Sequence, residues 1–165
     1  MGRARVGGKA GAVAGIVFGI LAALLTDISF SEIKSEVLEI ITKALPANSP
    51  ITAAEAYPIF LAESTVIAIV LGVIFGVILG AIYGALFDRL PGKTGLVKAM
   101  VLGLIFWLLD GVLVGLAYLN YGGLFYGERV VGGLVIALFF GYLLARFYRR
   151  FSPQAVVVEP ESHVP

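Results

Sequence analysis

The sequence contains no cysteine, which excludes disulfide frameworks, thiol nucleophiles and cysteine metal sites together. Its one histidine, His163, stands in the C-terminal tail, so a histidine metal centre has no second imidazole to draw on. Neither a metal nor a cofactor is expected. Asparagine and glutamine amount to three residues, Asn48, Asn120 and Gln154, a scarcity that fits a thermophilic source. Charge is also thin. Asp, Glu, Lys and Arg make up 14% of the chain, where soluble domains carry about 25%. There is no Walker loop, no Gly-x-Ser-x-Gly, no His-Glu-x-x-His and no paired-histidine haem arrangement. Nothing resembles a catalytic constellation, and no catalytic residue and no nucleic-acid partner are expected.

What is plentiful is apolar surface and glycine, at 59% apolar residues and 21 glycines in 165. The stretch Ser64 to Gly84 carries Ser64, Ala68, Gly72, Gly76, Gly80 and Gly84 at intervals of four. On a helix these lie one above another and make a shallow groove. In water each such glycine costs about 0.8–1 kcal/mol relative to alanine. In a bilayer the groove lets a second backbone come close.

In chain order, Arg3, Arg5 and Lys9 precede an uncharged run from Ala10 to Thr26. The flanks resemble a signal peptide, but no small-x-small cleavage site follows, so the run is read as an uncleaved first span. Ser29-Phe30-Ser31-Glu32 predicts a capping box opening an amphipathic helix over about 31–45, with Ile33, Val37, Ile40 and Ile41 on one face. Thr52-Ala53-Ala54-Glu55 predicts a second capping box, with a helix resuming near Ala53 and a kink at Pro58. Val66 to Phe87 is 22 residues without a charge, enough to cross about 30 Å of hydrocarbon. The turn 88–93 leads to a third span, Gly95 to about Tyr118, with Asp110 inside it. An aromatic and glycine-rich connection over 119–128 precedes the fourth, Val130 to Ala145.

The predicted fold is therefore an all-α integral membrane protein with four transmembrane helices (about 10–27, 64–88, 95–118 and 129–148) plus the amphipathic outer helix. Residues 1–151 form one domain, and 152–165 are expected to be a mobile tail. With the N-terminus in the cytoplasm, nine basic residues lie inside and only Lys34, Lys43 and Arg129 outside. That distribution places the chain in the cytoplasmic membrane with both termini inside.

Shifted by 84 residues, the first span matches the third at Gly8, Lys9, Gly11 and Gly19 against Gly92, Lys93, Gly95 and Gly103. Shifted by 61, the second matches the fourth, with Gly72, Gly76 and Gly80 falling on Gly133, Ala137 and Gly141. The expectation is two parallel tandem hairpins in matching register. The expected packing groove comprises Gly11, Gly15 and Gly19 on the first helix and Ala68, Gly72, Gly76, Gly80 and Gly84 on the second. Gly95, Ala99 and Gly103 supply it on the third helix, and Gly133, Ala137 and Gly141 on the fourth. The outline is similar to the rotor proteolipids of rotary ATPases. That family needs a mid-helix carboxylate in an outer hairpin helix, which the second and fourth spans here lack.

Asp110 is the one acid deep within a span. A carboxylate there costs about 2.5–3.5 kcal/mol on insertion scales, so it faces the bundle interior or water. It is a candidate ion or proton site, with Glu63 and Asp27 near the same outer boundary. The plainer reading pairs it with Arg129 or a tyrosine hydroxyl. Trp107 stands where the small-residue row of the third helix would continue. Arg146, Arg149 and Arg150 are expected to contact anionic lipid. The leading functional expectation is a non-catalytic accessory or scaffolding subunit packing through its glycine faces against itself or a larger membrane complex. The alternative is a small oligomeric channel or transporter for a cation or proton using Asp110.

Overall fold

The computed structural model describes residues 2–113, 115, 116, 119 and 123–152. The tail 153–165, expected to be mobile, lies outside them, as do Tyr118 and Tyr121 of the aromatic connection. Five α-helices follow in order: α1 (Arg3–Glu32), α2 (Lys34–Ala44), α3 (Ala53–Ala85), α4 (Gly95–Trp107) and α5 (Gly123–Phe151). A π-helical turn, Leu108–Leu113, continues α4, and there is no strand among the described residues. Four helical stretches, α1, α3, α4 with its π turn, and α5, are long and apolar enough to cross a membrane. Their outward surfaces carry exposed Ile16, Ile20, Val66, Ile67, Val70 and Leu71, a covering suited to lipid and costly in water.

α1 and α3 run antiparallel with their backbones in contact. Gly7 faces Gly80, Gly11 faces Gly76, Gly15 faces Gly72 and Gly19 faces Ala68, so each facing pair of residue numbers sums to 87. A Cβ placed on Gly11 would overlap the Gly76 carbonyl oxygen, and one on Gly76 would overlap that of Gly11. Only glycine permits this approach, and the gain is close van der Waals contact along several turns. α4 and α5 form a second antiparallel pair through Gly103 facing Ala137 and Ala99 facing Gly141.

The two pairs are not copies in register. Shifts of 84 and 61 would carry a sum of 87 to 232, but the facing pairs of α4 and α5 sum to 240. The second pair is slid by eight residues, about 12 Å at 1.5 Å per residue. Gly95, the counterpart of Gly11, consequently meets the Tyr83 side chain instead of α5.

α1 differs from expectation at its end. The Ser29 hydroxyl donates to the Leu25 carbonyl at 2.9 Å and is fully buried. With that partner in the preceding turn, Ser29 opens no new helix. α1 runs on to Glu32, and α2 starts after Ile33 without a side-chain cap. The second capping box does form. The Thr52 hydroxyl accepts from the Glu55 N–H at 3.3 Å, and the Glu55 carboxylate accepts from the Thr52 N–H at 2.8 Å. α3 passes through Pro58 without ending. α5 begins at Gly123, so 123–128, expected as connection, is helical.

Charge separates the two ends of the bundle. At the basic end, Tyr83 is fully buried and donates to the Gly95 carbonyl at 2.7 Å. Arg3 pairs with Asp88. Lys98 bends back to the Phe87 carbonyl at 2.6 Å, and Gly92 turns the chain with φ 125°. At the acidic end, α2 seats Val37 and Ile41 against Tyr57 of α3 and Phe125 of α5, and the Tyr57 hydroxyl donates to the Phe30 carbonyl at 3.2 Å. Glu36, in the first turn of α2, is held below the usual carboxylate range by the Ser35 hydroxyl and by its own backbone N–H.

Candidate functional site

Midway along the bundle each of the four long helices contributes one phenylalanine: Phe18 from α1, Phe75 from α3, Phe106 from α4 and Phe140 from α5. Their rings form a continuous chain. Phe140 meets Phe18 at 5.6 Å, Phe18 meets Phe106 at 6.2 Å, and Phe106 meets Phe75 at 5.7 Å between centroids. Edge-on and tilted contacts at these distances are favourable aromatic geometries. The space left among the four rings has no room for a water molecule. From this plug to the basic end the core is closed by Ala10, Ala14, Ala99, Leu102 and Leu144.

On the acidic side of the plug the helices part around a cavity of about 170 Å³. Phe18 and Phe106 belong to both the plug and the cavity wall, Ala22 and Leu25 line it from α1, and Ile136 lines it from α5. Trp107, Asp110 and Arg129 are its polar members.

Trp107 is fixed on three sides. Its indole N–H donates to the Val130 carbonyl at 2.8 Å, and its ring lies against Gly133 of α5 and Gly111 of its own helix. A Cβ on Gly111 would come within 2.9 Å of the ring. Asp110 sits in the π-helical turn between Trp107 and Gly111. Such turns widen the helix by one residue and re-aim its side chains, often at functional positions. The Tyr126 hydroxyl donates to the Val112 carbonyl of this turn at 3.3 Å, tying it to α5. Among the described residues no hydrogen bond or ion pair holds the Asp110 carboxylate. Arg129 lies over the Phe125 ring at 6.0 Å, and Phe125 clusters with Val37 and Ile41 of α2.

The three acids grouped as a candidate ion site are not brought together. Asp27 stands between α1 and α3, where it accepts from the Thr65 hydroxyl at 3.3 Å while its other oxygen is buried without a partner among the described residues. Glu63 is exposed and, like Asp27, does not line the cavity. Near the mouth of the bundle, the side chains of Glu32 and Glu128 approach each other. No group of three His, Cys, Asp or Glu residues able to hold a metal ion occurs among the described residues. Arg146, Arg149 and Arg150 are exposed on the last turns of α5, with Arg146 donating to the Tyr142 hydroxyl at 3.2 Å.

The four-phenylalanine plug is what sequence reasoning missed, whereas Arg129, named there as a partner for Asp110, lines the same cavity. Positions 18, 75, 106 and 140 share no spacing, and only the relative slide and rotation of the helices brings them to one level. Compared with family models, with curated proteins and with solved structures, the chain matches none.

Proposed function

We propose that this chain is a small solute-binding transporter of the cytoplasmic membrane, with both termini inside and the cavity facing outward. The observation that carries this reading is the cavity itself, which joins Asp110 and Arg129 above an aromatic plug. Asp110 is exposed and Arg129 half-buried at this cavity, and ionisable residues within membrane-spanning segments are kept chiefly along solute or ion pathways. A polar chamber on one side of a plug and a packed core on the other is the arrangement that alternating access requires in its outward-facing form. Orientation rests on charge, with nine of the twelve basic residues at the end assigned to the cytoplasm. In this reading the chain is arranged as two tandem hairpins, α1 with α3 and α4 with α5, and α2 lies outside as a cap. The glycine rows meet one another within the chain, which leaves those faces no free surface for a partner and weighs against the accessory-subunit reading.

The test is flux in sealed proteoliposomes. Uptake of protons, sodium, potassium and labelled glycine is compared for the wild type and Asp110→Asn, with size-exclusion profiles run in parallel. Loss of flux with an unchanged profile supports transport. No flux of any probe, together with an altered assembly in Asp110→Asn, would overturn it in favour of a structural role.

A further inference from the structure

The cavity is lined by one acid and one base on otherwise apolar walls, and that combination narrows what fits. A bare cation drawn to Asp110 would also meet the guanidinium of Arg129, and a bare anion drawn to Arg129 would meet the Asp110 carboxylate. Against apolar walls such an unmatched charge is costly. A molecule of zero net charge that carries both signs on a short linker satisfies both side chains at once. Volume sets the length of that linker. A protein cavity of about 150 Å³ takes a ligand of six carbon atoms, and this one holds about 170 Å³.

We infer that the cavity between α1, α4 and α5 binds a small zwitterion, its ammonium on Asp110 and its acid group on Arg129. This inference rests on the solute-binding reading above and names its ligand class. Arginine carries five N–H donors in a planar fork, so Arg129 can accept an oxyanion ligand in addition to its existing contacts. Asp110 offers carboxylate oxygens with no competing partner among the described residues. Trp107, Phe18 and Phe106 line the apolar part of the site, and among the described residues Asp110 and Arg129 are its charged members. The ligand chemistry, an ammonium and an acid group one or two carbons apart, is common to free amino acids and to the ethanolamine phosphate headgroup of a lipid.

The experiment is isothermal titration of the full chain in phosphatidylcholine nanodiscs with glycine, β-alanine, taurine and glycerophosphoethanolamine. Acetate and methylammonium supply the single-charge comparisons. The expected result is at least tenfold tighter binding of one of the zwitterions than of either single-charge ion. Asp110→Asn should weaken that zwitterion at least tenfold while sparing acetate, and Arg129→Gln should weaken it while sparing methylammonium. Asp110→Glu, which keeps the charge, should retain most of the affinity and show that the Asn variant fails by chemistry rather than by misfolding.

Repeating the titration in nanodiscs containing phosphatidylethanolamine separates the two sources. Weakened amino-acid binding identifies the headgroup as the occupant, and unchanged binding identifies a free solute, both within the same ligand class. If acetate or methylammonium binds as tightly as the zwitterions and depends on Asp110, the zwitterion inference fails while the solute-binding reading stands. If no probe binds in an Asp110-dependent way, both fail.

Discussion

At the scale of single residues, Gly8 and Gly11 differ in what surrounds them more than in what they are. A Cβ on Gly8 would meet Val77 and Ala81 at ordinary contact distances of 3.8–4.0 Å, whereas one on Gly11 would overlap the Gly76 carbonyl. Gly11→Ala should therefore destabilise the protein by about 1–3 kcal/mol through forced separation of α1 and α3. Gly8→Ala should be neutral or stabilising by up to about 1 kcal/mol through helix propensity. Thermal unfolding in detergent checks both, and equal effects would remove the backbone contact as the explanation. Trp107 makes a second local prediction. Trp107→Phe loses the hydrogen bond to Val130, worth about 0.5–1.5 kcal/mol net, and leaves that carbonyl to its helical partner alone. The same melting measurement reads this loss.

Among helices, legibility in the sequence followed how local each determinant was. The Thr52–Glu55 box lies within four residues and formed as predicted. Thr52→Ala should cost about 1 kcal/mol and speed amide exchange in the first turn of α3, with no change near Ser29. The Ser29–Glu32 box has the same letters, yet Ser29 bonds back to Leu25 and α1 continues. A capping pattern on an already propagating, buried helix is overridden by packing, because extending a formed helix is easier than nucleating a new one. The small-residue rows were visible because they recur every four residues. The slide of eight residues between the two helix pairs was not, since each row is self-similar and matches its neighbour at several offsets. The π turn was also hidden, as no residue type specifies it. The bond from Tyr126 to Val112 acts only once α5 is in place.

For the whole molecule, composition and charge distribution gave the all-helical architecture with four apolar helices, while the cavity needed tertiary structure. Asp110 could be singled out as an acid within a span. Its relation to Arg129 depends on α4 and α5 pairing with facing numbers that sum to 240, and its floor depends on α1 bringing Phe18 to the level of Phe106 and Phe140. The absence of cysteine makes the proposed orientation simple to test. Asn48→Cys, in the exposed turn after α2, should react with a membrane-impermeant maleimide in intact cells. Lys93→Cys, in the exposed turn after α3, should react only after permeabilisation. The opposite pattern would invert the molecule and place the cavity on the cytoplasmic side.

The cavity also contains its own reporter, because Trp107 is the only tryptophan in the chain and forms part of the cavity wall. Its fluorescence during titration with the zwitterion and single-ion probes is the most direct measurement of whether a solute enters there. A saturable change in emission with at least one probe, abolished or shifted at least tenfold in midpoint by Asp110→Asn, is the predicted result. Emission that stays constant through every titration, or that responds identically in wild type and Asp110→Asn, would contradict a binding site at Asp110.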